Sequence, residues 1–245
     1  YEDLKWKGVG GAGEGLGLSE GLLAADIINE FMDLDFNPAG EPVVAWSTLD
    51  LSSLIGFVLY KEHSESGWSD IDNSGQDPGV SPDYQLILPN PAVAVSPYGR
   101  IHLIWTKTFT GQANYAMPIY HASALPGGKW APKNGGGESG ILPYEALSRP
   151  NLVIGPGDRP FMAFTRHDQE AKSGNPNDAV GVMAYHPEDD SFKPLKDTID
   201  AIPPTGWEVG RTGFAATKNR VGVAWTQRKF KKTVGGGTLH YAEYP

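Results

Sequence analysis

Arg166, His167 and Asp168 stand side by side, a permanent cation, a ring that titrates near neutrality and a carboxylate. A neighbouring His–Asp pair can do acid–base work, and the competing reading is a solvated loop spanning residues 165–179. Two further arginines, Arg149 and Arg211, extend the set. The guanidinium fork matches a carboxylate in two parallel hydrogen bonds, so Arg149, Arg166 and Arg211 suit an acidic ligand if the fold brings them together beside Asp33. Ion pairing with Asp33, Asp50 or Asp168 is the structural alternative. A second constellation is Asp70-Ile-Asp72-Asn-Ser74-Gly75, with oxygens on alternate residues and a glycine for a sharp turn. Asp70, Asp72, Ser74 and the Gln76 carbonyl would suit a structural calcium ion. Ser81 stands where an EF-hand places its bidentate glutamate, so that motif is excluded, and a plain polar turn is the alternative. No other cofactor is expected.

Other chemistries are excluded by what is missing. The 245 residues contain no cysteine, which removes thiolate nucleophiles, disulfides and Cys-ligated metals. No HExxH or His-x-His occurs, so a zinc site is unsupported. Gly8-Val-Gly-Gly-Ala-Gly13 matches G-x-G-x-x-G in form, but Gly15, Gly17 and Gly21 would ruin the helix that a dinucleotide site needs. A short helix capped by Ser19 is expected over residues 19–31. The net charge of −9 argues against nucleic acid as a partner. No apolar stretch is long enough to span a membrane as a helix. The chain begins at Tyr1, which reads as a processed or trimmed start; together with the absence of cysteine this suggests a secreted, extracellular or periplasmic protein. There is no glycosylation sequon.

The elements that position these groups come from a repeat. The 31 Gly and 20 Pro oppose long helices. Four similar runs end in an aromatic and a hydroxyl residue: Trp46-Ser47, Trp105-Thr106, Phe164-Thr165 and Trp225-Thr226, at aromatic spacings of 59, 59 and 61. Each follows a turn and an earlier apolar run, which is a hairpin of strands A and B. A second hairpin follows, with strand C ending at Tyr60, Tyr120, Tyr185 or Tyr241, tyrosines read as core or inter-blade packing. Strand D carries Trp68, Trp130 or Phe192. The fourth repeat stops before its D strand, and Asp3-Leu-Lys-Trp6-Lys at the other end supplies the missing pattern. Repeating four-stranded units describe an all-β propeller. The expected organisation is one domain, 1–245, with blades near 30–70, 88–132, 148–194 and 210–245 plus 3–7. It is read as a closed four-bladed ring, or as a four-blade portion of a larger propeller. The loops before A and between B and C would gather at one end of the channel, carrying Asp33, Asn90, Arg149, Asn151 and Arg211 with Arg166, His167 and Asp168.

This pattern resembles the sialidase-type propellers with bacterial neuraminidase repeats. Ser123-Ala-Leu-Pro-Gly-Gly-Lys-Trp130 matches the Ser, Gly and Trp of that family's Asp-box turn, with Leu125 at the Asp position. Ser64-Glu-Ser-Gly-Trp68 is a shortened version and His186 to Phe192 a degenerate one. The resemblance implies a carboxylate-binding arginine triad; Ser148-Arg149-Pro150 is similar to the family's Arg-Ile-Pro motif without the isoleucine. It also implies a Tyr–Glu nucleophile and an Asp acid/base, and no tyrosine here clearly matches the nucleophile. The leading reading is therefore an extracellular binding module that recognises a glycan or a protein. A sialidase-like hydrolase or a polysaccharide lyase acting on acidic sugars is the alternative, and a structural or assembly protein the next.

Overall fold

Apolar runs bounded by turn residues become strands throughout. The computed structural model describes residues 27–75, 79–81, 84–85, 87–109, 118–131, 150–167, 178–189, 191–195, 207–229 and 237–244. Among the described residues there is no α-helix, and the protein is all-β, a propeller of four antiparallel blades. The first blade orders β1 (Ile27–Phe36), β2 (Pro42–Asp50), β3 (Ile55–Ser64) and β4 (Gly67–Ser69) from inside to outside, with β5 (Tyr84–Gln85) also pairing with β3. The second contains β6 (Ile87–Val95), β7 (Ile101–Phe109) and β8 (Ile119–Ala124), with a Ser123–Ala131 bridge in the outer position. The third is β9 (Asn151–Gly155), β10 (Arg159–His167), β11 (Asp178–His186) and β12 (Ser191–Pro194). The fourth is β13 (Trp207–Ala216), β14 (Val221–Lys229) and β15 (Thr238–Tyr244).

The inner hairpins turn where proline, glycine and asparagine predict. Asn37 Oδ1 accepts from the Ala39 and Glu41 amides, and Gly40, Gly99 and Gly157 supply the positive φ. Ladder registers set the repeat in space. Met32, Pro91 and Thr212 lie opposite Trp46, Trp105 and Trp225, and Asn151 lies opposite Ala163, beside Phe164. Those four aromatics are all buried, one per blade. Tyr60, Tyr120 and Tyr185 are buried in the inter-blade core, as expected, and Tyr241 is exposed, but the four do not share one register. Tyr60 and Tyr241 pair with Ala45 and Ala224, one step past the aromatic row, whereas Tyr120 pairs with Trp105 itself and Tyr185 with Phe192 of β12. Only Tyr60 and Tyr241 are equivalent, because the C strands end at different distances from the aromatic row.

Each blade packs its flank on the next. Val43, Ala45, Val58 and Tyr60 of the first blade meet Val93, Val95, Leu103 and Trp105 of the second. Ala92, Ala94 and Ile104 meet Leu152, Met162 and Phe164 of the third. Ala163, Val180 and Val182 meet Val223 and Trp225 of the fourth. Among the described residues no comparable packing joins the fourth blade to the first. The described blades therefore form an arc. Met32, Leu34 and Phe36 lie exposed at one end of it, and Leu239 and Tyr241 at the other.

One expectation falls differently. The helix over 19–31 is replaced from Ile27 onward by β1, whose ladder with β2 takes up the backbone groups; residues 19–26 lie outside the described residues. The strand expected at 3–7 and the glycine run at 8–13 also lie outside them.

Candidate functional site

The inner strands start, and the middle strands finish, at one end of the arc's channel. The hydroxyl after each aromatic belongs to this end: Ser47, Thr106 and Thr165 are buried, Thr226 is exposed. Asn90 lies directly opposite Thr106 across the β6–β7 ladder. By the pleat, both share the sheet side of Ala92 and Ile104, toward the third blade. Asn90 Oδ1 and Thr106 Oγ1 are buried and make no hydrogen bond. An unmade buried bond costs about 1–3 kcal/mol, so these two atoms suit hydrogen bonding to a ligand hydroxyl. On the neighbouring inner strand, Asn151 Nδ2 donates to Thr212 O and Oγ1 at 3.2 and 2.9 Å, tying the third blade to the fourth.

A matching tie joins the first two blades. Asp33 and Asp35 on β1 accept the Val93 and Val95 amides at 2.9 and 2.7 Å. These carboxylates stand where a neighbouring strand's carbonyls would stand in a continuous sheet. Burial pushes the Asp35 carboxyl above its usual range, partly offset by the Val95 and Phe36 amides. Asp33 and Asn151 hold equivalent register positions, each one step beyond the aromatic row.

Arg166 and His167 do not sit on a loop. The β10–β11 ladder continues through Arg166 opposite Ala179 and His167 opposite Asp178. Both are at the same end as Asn90. Arg211 lies in β13, within the register shift between Val209 and Thr212. The first blade has the corresponding irregularity between Glu30 and Met32, where Phe31 takes a positive φ. Bulges of this kind re-aim neighbouring side chains. The backbone thus brings Arg166, His167 and Arg211 to the channel end, with Asp33 one step to the other side of the aromatic row. Arg149 and Asp168 lie outside the described residues.

The segment read as a calcium turn is the irregular outer edge of the first blade. Tyr60 N donates to Ser74 O at 2.9 Å, Val80 N to Val58 O at 2.8 Å, and Val58 N to Ser81 Oγ at 2.8 Å. Ile71 is buried in the interface with the second blade, and Trp130 Nε1 donates to its carbonyl. Positive φ falls on Asp72 and Asn73 rather than on Gly75. Asp72 is exposed, while Ser74 is buried with its hydroxyl unpartnered. A Cβ at Gly75 would stand 2.5 Å from Asp70 Oδ2 and 3.0 Å from Lys61 Cε, so the carboxylate shares this spot with a lysine stem. Gln76 lies outside the described residues, among which no group of three acidic or histidine side chains converges.

A further polar pair escaped the sequence reading. His102 Nδ1 and His121 Nε2 approach to 3.2 Å across the β7–β8 hairpin, rings stacked, both buried. Tyr185 and Phe192 of the third blade close over them. Burial, then the His121 ring and the Arg100 cation, push the His102 imidazole down to about 2. His102 is neutral, so one ring nitrogen accepts from the other ring. The pair is a sealed inter-blade contact near the hairpin turns, away from the channel end.

No family model and no curated protein matches the chain. Solved structures do match it. A family 117 glycoside hydrolase from the marine bacterium Zobellia galactanivorans superposes with a TM-score of 0.51 at 14% identity, covering 89% of this chain and 67% of that one. A protein of unknown function from Dyadobacter fermentans gives 0.52 at 11% identity, with 83% and 63% covered. The chain thus spans about two thirds of each. At these identities the likeness is one of fold, and the fold is the β-propeller seen in the four blades.

Proposed function

We propose that the protein is a glycan-binding propeller module, acting outside the cytoplasm, with its ligand at the channel end where the inner strands begin. The observation that carries this reading is the unpartnered pair Asn90 Oδ1 and Thr106 Oγ1, buried at the channel end of the second blade on its side toward the third. A sugar hydroxyl can donate to the first and accept from or donate to the second. Arg166 and Arg211 at the same end, together with Arg149, supply cations for an acidic sugar, and His167 stands beside them as a hydrogen-bonding group. The glycoside hydrolase among the structural neighbours is in keeping with a carbohydrate ligand.

Calorimetric titration with a panel of neutral and acidic oligosaccharides tests the proposal. Asn90→Ala and Thr106→Val should each weaken binding by about 5- to 100-fold, the equivalent of one buried hydrogen bond. Arg220→Ala, at the opposite end, should leave it unchanged, and Arg211→Ala should weaken acidic sugars far more than neutral ones. Absence of binding across the panel, or affinity indifferent to Asn90 and Thr106, would defeat the reading. Glycoside hydrolysis or elimination is the second reading, favoured by the same neighbour. It requires two convergent carboxyl groups. Asp33 and Asp35 are committed to backbone amides of the second blade, so binding is placed first.

A further inference from the structure

We infer that the two ends of the arc are complementary, and that the outer face of the fourth blade docks the first blade of a second copy of this chain. The argument is one of register. Gly213, Ala215, Gly222, Ala224, Leu239 and Tyr241 of the fourth blade are the positional equivalents of Asp33, Asp35, Val43, Ala45, Val58 and Tyr60 of the first. Even Tyr60-x-Glu62 is repeated as Tyr241-x-Glu243. In the first blade this face is sealed: Val43, Ala45, Val58 and Tyr60 are each 0% exposed. In the fourth, Leu239 is 76% and Tyr241 65% exposed. The face is hollow, a cavity of about 430 Å³ floored by small residues, with the Tyr241 ring lying over Gly222 and the Arg220–Glu243 ion pair at its margin.

What covers such a face is set by the interface already present in the molecule. Tyr60 and its neighbours are covered by Val93 and Val95 of β6, the second and fourth positions beyond the aromatic row. The residues at those positions in the third blade, Leu152 and Ile154, likewise pack on the second. In the first blade they are Leu34 and Phe36, both 55% exposed, beside Met32 at 69%. The bulky side chains of one end therefore match the small-residue hollow of the other. Among the described residues of one chain the two ends are not packed together. Blade one of a second copy meets the fourth blade as the second blade meets the first. The contact uses different patches on the two copies, so it adds copies head to tail. Burying exposed apolar side chains of this size drives such an association.

The absence of cysteine makes the test direct. Phe36→Cys and Ala215→Cys occupy positions equivalent to Val95 and Asp35, which touch across the existing interface. Each is made in a separate preparation, and the two are mixed under mild oxidation. A disulfide-linked species containing one of each variant is expected, far exceeding either variant alone. Sedimentation of the unmodified 245-residue chain should show mass rising with concentration, and Tyr241→Asp or Leu34→Asp should return it to the monomer. A monomer at about 100 µM with no mixed cross-link would overturn the inference and leave the faces to residues outside those described. A double variant that closes its disulfide within a single chain at nanomolar concentration would overturn it in favour of ring closure. The Asp variants sit on exposed side chains, and their melting temperatures separate lost association from misfolding.

Discussion

Acidification should destabilise the protein through His102, by an amount the structure allows to be worked out. The imidazole is 2% exposed and its affinity for protons is depressed to about 2, from an ordinary 6.5. The folded state therefore holds a neutral ring while the unfolded chain takes up a proton below 6.5. Stability is intact above that point and falls as pH drops, until the folded ring itself titrates. At pH 5 the unfolded ring is almost fully protonated and the folded one is not, which costs about 2 kcal/mol for this one group. That figure barely depends on the folded value, provided it stays well below 5. The assay is urea unfolding at pH 7.5 and at pH 5, for the native chain and for His102→Gln. Other titrating groups cancel in the comparison, so the native chain should lose about 2 kcal/mol more than the variant between the two pH values. Equal losses would refute the claim that His102 is held neutral by its burial beneath Tyr185.

Three further outcomes are expected. Gly79 has φ +71° and no room for a Cβ, which would collide with Val58 O, so Gly79→Ala should lower stability by at least about 1–3 kcal/mol in denaturant unfolding. Asp33→Ala leaves the Val93 amide without its acceptor and should cost about 1.5–3 kcal/mol, whereas Asp50→Ala, whose carboxylate caps Ser52 and Ser53 in an exposed turn, should cost clearly less. Calcium at millimolar concentration is expected to leave the melting temperature unchanged relative to chelator, because Asp72 is exposed while Asp70 lies against Gly75; a clear upward shift would establish the ion site at Asp70, Asp72 and Ser74.

The repeat was legible because each blade needs one large buried aromatic on its middle strand, and that need recurs near every 60 residues at Trp46, Trp105, Phe164 and Trp225. Turn positions were legible for the same local reason, at Gly40, Gly99 and Gly157. What depended on register was not. The equivalence of Tyr60 with Tyr241, but not with Tyr120 or Tyr185, follows from how far each outer hairpin runs past the aromatic row, which no residue type announces. His102 and His121 meet only because β7 and β8 pair in one register and a third-blade tyrosine caps them. Asp70 to Gly75 has the composition of an ion-binding turn, and its role at the blade edge, where the amides of Tyr60 and Val58 bond to Ser74 O and Ser81 Oγ, could not be read from that composition. In the proposed site, Arg166 and Arg211 stand out by residue type, while the orphaned Thr106 hydroxyl looked like any strand threonine.

The carboxylate ties from Asp33 and Asp35 to the second blade bear on how the chain is made. During synthesis the strands of one blade are contiguous and can pair as they emerge, since local closures are fast and cost little entropy. The partners of Asp33 and Asp35, however, lie 60 residues downstream. Until β6 leaves the ribosome, the finished first blade presents two half-solvated carboxylates and a bare apolar flank. The charges oppose premature pairing of that inner edge with another nascent chain, as an uncharged edge would invite it. Once the Val93 and Val95 amides arrive, the same groups become the latch. The arrival of the second blade, rather than completion of the first, is then the step that commits the nascent chain to its fold.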